Sequence, residues 1–192
     1  VKVENTDKPF DVYFIDKRAR TTDWLVYSNS IESSINGQIK QYHIDDYILD
    51  EFVNIKSRID FELNADLFYK NMINSYHGIA HTSRVLFATH LITSIIDGVS
   101  ESLKDAAYYA AIIHDLGKTN DREGFIHGMK SMNRYGEFID KLEIESSLKQ
   151  RMRDAIRYHS VEDNLCPEYV QNDILWKILK DADALDRSRF GG

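Results

Sequence analysis

The chain has 192 residues, 43% hydrophobic and 29% charged, a length and balance that fit one globular domain around a single core. Its formal charge of −7 argues against the broad basic face needed to grip nucleic-acid phosphates non-specifically, but leaves room for a local cation cluster or a metal that takes a small phosphorylated substrate. Cys166 is the single cysteine, so an internal disulfide is excluded and a reducing, cytoplasmic setting is expected. No membrane association is expected either. The longest uncharged apolar-rich stretch, Val85 to Ile96, is too short to span a bilayer, and no signal-peptide pattern is read at the start.

Taken in chain order, residues 1–43 differ from the remainder of the chain. Asp11–Ile15 ("DVYFI") and Trp24–Ser28 ("WLVYS") are β-branched and aromatic and read either as a small β-hairpin or as an irregular extension. From residue 44 to 192 the pattern is helical. Ile44, Tyr47, Ile48, Phe52, Ile55 and Ile59 recur at three- and four-residue steps and form one apolar stripe. A second helix is predicted over Ala65–Ser75, and a third over Ile79–Ile96, closed by the turn signal Asp97-Gly98. Ser102 is the expected cap of a fourth, which reaches His114 and ends near Gly117. Further helices are predicted over His127–Lys141, Ser146–His159 and Asp173–Leu185. The fold class is therefore all-α with a small N-terminal extension. Cys166, beside Pro167, reads as a loop thiol rather than a nucleophile.

Candidate metal ligands lie on three separate predicted helices. In "YHGIAHTSRV" His77 and His81 are four apart, which on a helix puts them about 40° apart on one face, with Arg84 on the same side. His90, nine past His81, faces away and is excluded from the site; His43 is read as structural. "AAIIHDLGK" supplies the adjacent His114 and Asp115, with Ala107, Ala110 and Ala111 letting that helix approach its neighbours and Gly117 relaxing the backbone after it. "KDADALDR" supplies Asp181, Asp183 and Asp186, with Asp183 near the edge of an apolar stripe of Ile174, Ile178, Leu179 and Leu185. A set of nitrogen and oxygen ligands of this kind suits a divalent transition metal with open positions for water and substrate.

The order His81, His114-Asp115, Asp183 resembles the HD superfamily of metal-dependent phosphohydrolases. "HTSRV" is similar to that family's H-x-x-R-V helix, "AAIIHDLGK" to its central motif and "DADALDR" to its closing A-D-x-L motif, and the likeness covers roughly Tyr76 to Arg189. The resemblance implies a helical bundle in which His81, His114, Asp115 and Asp183 ligate the metal, since the family's Asp follows the Ala of D-A-D; Asp181 is read instead as a partner that orients a ligating histidine from behind. His127 and His159 match positions used in dinuclear members, so a second metal would need both. Ser160 stands where those members often carry a further histidine. "YHGIAH" also resembles the Y-H-N-x-x-H of cyclic-nucleotide phosphodiesterases, with Gly78 for Asn. That likeness, and one over the same short stretch to the phosphodiesterase domain of SidE-type bacterial effectors, implies that His77 donates a proton to the leaving oxygen.

The function implied is hydrolysis of a phosphate mono- or diester in a nucleotide-like small molecule, with a metal-activated water as nucleophile. Asp115 would bind metal through one oxygen and orient or deprotonate the water through the other. Arg84, Lys118, Arg122 and Arg187 are the cations expected to hold phosphate oxygens. The cofactor expected is a divalent ion (Mn, Mg, Co, Fe, Ni or Zn), one or two per chain, and a homo-oligomer is left open. Two alternatives stand beside this reading: a His-rich di-iron oxygenase on the same scaffold, and a non-catalytic nucleotide-binding sensor.

Overall fold

The computed structural model describes the backbone of four strands between residues 13 and 42, and then residues 54–55, 57–59, 61 and 63–187. The predicted boundary at residues 43 and 44, His43, and the stripe positions Ile44, Tyr47, Ile48 and Phe52 lie outside the described residues, as does the stretch beyond Arg187. Ile55 and Ile59, the last two positions of that stripe, are buried in the core.

The N-terminal strands pair as an antiparallel meander in the order β1 (Tyr13–Ile15), β2 (Trp24–Tyr27), β3 (Ile31–Ile35), β4 (Gln38–Tyr42). The two apolar runs singled out in the sequence do pair, with Phe14 opposite Leu25. The β3–β4 pair is an addition to the sequence expectations. Its register sets Ile35 against Gln38, leaving two residues between the strands, and Asn36-Gly37 is the dipeptide that most favours such a link.

The body after the strands is all-α. Its principal helices are α1 (Ile79–Ile95), α2 (Glu101–Ile113), α3 (His127–Lys141), α4 (Ser146–Tyr158), the short α5 (Glu168–Gln171) and α6 (Ile174–Arg187). Helix α2 is the centre: it packs on α1, α4 and α6, and every residue from Ala106 to Ile113 is buried. A helix apolar on all sides is stable only when enclosed, and its four alanines keep the surrounding helices close. Ser100, not Ser102, caps it. The Ser100 hydroxyl accepts the Leu103 N–H at 3.2 Å, which places Glu101 in the first turn where the helix dipole favours a carboxylate.

Two other expectations are corrected. Residues 65–75 do not form a helix; a 3₁₀ turn over Ala65–Leu67 is followed by successive turns in which Met72 bonds Tyr69, Ser75 bonds Met72 and Gly78 bonds Ser75. Asn64 and Ser75 explain the preference, since their side chains bond the backbone N–H of Asp66 and His77 and compete with helix. Consequently His77 lies in the turn before α1 rather than on it. Leu185 is 59% exposed and does not extend the buried face of α6, which is made by Leu175, Ile178, Leu179 and Ala182. Gly98, at the predicted turn after α1, has a φ of +79°, a conformation that glycine alone adopts without strain.

Candidate metal centre

The middle of the helical body buries charge-bearing groups that an apolar core would exclude. His81 projects from the first turn of α1, His114 and Asp115 from the turn that ends α2, His127 from the first residue of α3, His159 from the end of α4 and Asp183 from α6. His81, His114, Asp115, His127 and His159 are each less than a tenth exposed, and Asp183 is partly buried. Unpaired polar groups at that depth are costly, so their partners define the site.

Each imidazole is held by its Nδ1. His114 donates to Ala111 O at 2.7 Å, His127 to Gly124 O at 2.6 Å and His159 to Ile156 O at 2.8 Å, in every case the carbonyl three residues back. His81 donates to Asp186 Oδ2 at 2.6 Å. A carbonyl only accepts, so the proton is on Nδ1 and the Nε2 lone pair points inward. His114 and His159 stand at the ends of α2 and α4, where the last carbonyls have no partner within the helix. The same bond therefore closes the helix and aims the ring.

The inward atoms form two adjoining triads that share Asp115. On one side His81 Nε2 lies 3.1 Å from His114 Nε2 and 3.4 Å from both Asp115 Oδ2 and Asp183 Oδ1. On the other, His127 Nε2 lies 3.0 Å from His159 Nε2, with Asp115 Oδ1 at 3.1 and 3.4 Å from the two rings. The ligating atoms of His81, His114 and Asp115 all lie within 4.8 Å of one another, as do those of Asp115, His127 and His159. Lone pairs that converge at such distances repel unless a cation stands among them. The donor set fits a divalent metal on either side of the Asp115 carboxylate.

Electrostatics agree with ligand roles. Burial, aided by the neighbouring imidazoles, pushes His114 down to about 3 against the pull of Asp115, which keeps its ring neutral and its Nε2 lone pair unprotonated. Burial alone would raise the Asp115 carboxyl, but His114, His127, His159 and His81 around it outweigh that and hold it well below the usual carboxylate range. Asp183 is lowered in the same way, chiefly by His114 and His81 working against its burial.

Around these ligands the structure distributes the remaining sequence candidates unevenly. His77 lines the adjoining cleft of about 270 Å³, together with Lys118 and Arg187. Its Nδ1–H donates to Asp121 Oδ1 at 2.9 Å, and its ring lies 5.4 Å from that of His81. Arg187 sits 3.2 Å from Asp183 Oδ2, and the buried Lys118 lies 3.4 Å from Glu123 O. Arg84 is not in the cleft; its Nε donates to Asp186 Oδ1 at 2.5 Å. Arg122 is exposed and lies outside the cleft lining, as its loop carries it away.

Asp181 is corrected: it is exposed, two residues from Asp183 and so on the other side of α6. Asp186, three past Asp183, takes the orienting task instead, bonding both His81 and Arg84. A signal for it existed, since Arg84 on the His81 face needed a carboxylate. Lys180 is a further site residue absent from the sequence candidates; it lines the cleft one turn before Asp183 and donates to Val161 O at 2.6 Å. His90 faces away as expected and pairs its Nδ1 with Tyr108 Oη at 2.9 Å. Cys166 is buried in its loop, and burial pushes its thiol up, away from a nucleophile's range.

Two glycines set the helix spacing that the site requires. A Cβ on Gly128 would stand 2.4 Å from Ile156 O, so the α3 and α4 backbones touch beside His127 and His159. A Cβ on Gly117 would stand 2.2 Å from Ser131 N. Gly117 therefore serves close approach rather than an unusual backbone angle. Its N–H donates to Ser131 Oγ at 2.8 Å, and that hydroxyl donates to His114 O at 2.7 Å, fastening the ligand turn to α3.

A helical bundle that gathers four imidazoles and the Asp183 carboxylate around the shared Asp115 carboxylate has the donor set that could hold a divalent metal. The HD domain family model matches residues 78–188, more than half of the chain, and the chain belongs to that family, one of metal-dependent phosphohydrolases. No curated protein and no solved structure gives a significant match. Among the described residues no helix is long and apolar enough to cross a membrane.

Proposed function

We propose that the protein hydrolyses phosphate mono- or diesters of a nucleotide-like small molecule with two divalent ions bound about Asp115. His81, His114, Asp115 and Asp183 would hold the first ion and Asp115, His127 and His159 the second. Bound there, such ions supply Lewis acidity: they acidify a water and neutralise charge on the phosphoryl oxygens. The observation that carries this reading is the sharing of Asp115, whose two oxygens face the two histidine pairs separately.

The chain's own groups would complete the chemistry. Lys118 and Arg187 line the cleft beside both triads and would take non-bridging phosphate oxygens. The bond to Asp121 fixes the His77 ring and leaves Nε2 to serve the cleft. Burial lowers the His77 pKa, against the opposing pull of Asp115 and Asp121, so its proton-donating form grows as pH falls. Asp115, held ionised, is better suited to ligation and to accepting a hydrogen bond from water than to storing a proton.

The oxygenase alternative would use the same histidines. The cations at the cleft favour an anionic phosphate over a neutral substrate. The test is hydrolysis of a phosphoester panel by manganese-loaded protein, wild type against Asp115→Asn. The variant should fold with unchanged helical content and lose activity by about a thousandfold or more. Undiminished turnover in Asp115→Asn, or oxygen uptake in place of phosphoester cleavage, would remove the reading.

A further inference from the structure

Beside the cleft runs a groove of about 680 Å³ whose walls include Phe125, Ile126, Met129, Tyr158 and Leu165. Its apolar walls are open: Phe125 is 66% exposed, Met129 47% and Leu165 68%. Single exposed apolar residues need no explanation, but several facing one concavity do.

Groove and cleft are continuous. Ser160, Val161 and Glu162 line both. The continuity is built into the helix ends that carry the ligands. Ile126 precedes His127 and Tyr158 precedes His159, so at each junction one residue turns into the metal centre and its neighbour into the groove. Ser160 Oγ donates to Phe125 O at 3.2 Å and ties the two junctions together.

Size points the same way. The cleft, at about 270 Å³, falls just short of the range of roughly 300–1,000 Å³ usual for small-molecule sites, whereas the groove lies within it. A phosphoryl group at the metal centre would therefore direct one of its ester substituents along the shared wall and out over Met129 and Leu165. The walls are mostly apolar and include the aromatic rings of Phe125 and Tyr158, while Arg157 adds a guanidinium that can stack on a ring.

We infer that this groove is a substrate subsite for a flat aromatic or heteroaromatic substituent on the phosphate. The inference rests on the phosphoester reading of the adjoining cleft. It makes Phe125, Met129, Tyr158 and Leu165 specificity-determining residues that take no part in the bond cleavage.

The test is binding of two non-hydrolysable probes to the manganese-loaded chain by calorimetry: 1-naphthylphosphonate and methylphosphonate. Naphthylphosphonate should bind about tenfold tighter or better, as burial of an aromatic surface requires. Met129→Asp should cut that preference to about twofold or less while methylphosphonate affinity holds. Met129 is half exposed in the first turn of α3, where a carboxylate suits the helix dipole, so the fold should tolerate the change. Leu165→Asp, in the other chain segment that lines the groove, is the second variant. Equal affinities for the two probes, or a preference that survives both variants, would overturn the subsite and leave the phosphoester reading standing. Failure of both probes to bind, with no phosphoester hydrolysed, would remove both.

Discussion

Asp186 and His114 show what single residues contribute here. Asp186 touches no reacting group, yet it takes the Nδ1–H of His81 and the Nε–H of Arg84, and so fixes which nitrogen of His81 faces inward. His114 is fully buried and held to about 3 by desolvation first and neighbouring imidazoles second. Between that value and the ordinary 6.5, the unfolded chain binds a proton that the folded chain refuses, so stability of the metal-free protein falls as pH falls through this window. Asp115 and Asp183, depressed below their ordinary range, act with the same sign at lower pH. The urea midpoint of chelator-treated protein should thus be lower at pH 5 than at pH 7. A midpoint that is flat or higher at pH 5 would show that the imidazole is not buried as described. At this scale the sequence is most informative for His81, His114, Asp115 and Asp183, because adjacent ligands and fixed spacings leave a local trace. Asp186 and Lys180 leave a weaker one, since their partners are distant in the chain.

Helix junctions do the next part of the work. The α3–α4 pair brings His127 and His159 within 3.0 Å only because Gly128 lets the backbones meet. Gly128→Ala would force α3 off Ile156 O and spread the second triad, while the first, carried by α1, α2 and α6, stays in place. Metal titration should then find the second ion weakened by about tenfold or more, since displacements near one ångström suffice for such losses, with the first little changed. Two unaltered affinities would show that the contact does not set the site. Element prediction succeeds where apolar periodicity is strong, as in α3 and α4, and in α1 where the Asp97-Gly98 turn marks the end. It fails over 65–75, where Phe68 and Met72 mimic a stripe but the polar side chains of Asn64 and Ser75 divert the backbone into turns. The glycine contact that joins α3 to α4 is a relation between two helices, and neither sequence segment displays it alone.

At the scale of the whole molecule, one enclosed helix, α2, serves as the post around which α1, α4 and α6 deliver ligands. The all-α class and the order of the motifs are readable from the sequence, whereas the β3–β4 pair escapes notice despite its Asn36-Gly37 signal, and the groove cannot be read because its walls come from two segments about thirty residues apart in the chain. What the architecture achieves is a carboxylate with a different histidine pair at each oxygen. Anomalous diffraction from manganese-soaked crystals tests this most directly. Two peaks flanking the Asp115 carboxylate, one toward His81 and His114 and the other toward His127 and His159, are the expected result. A map with no manganese there, or with both ions bound away from Asp115, would contradict it.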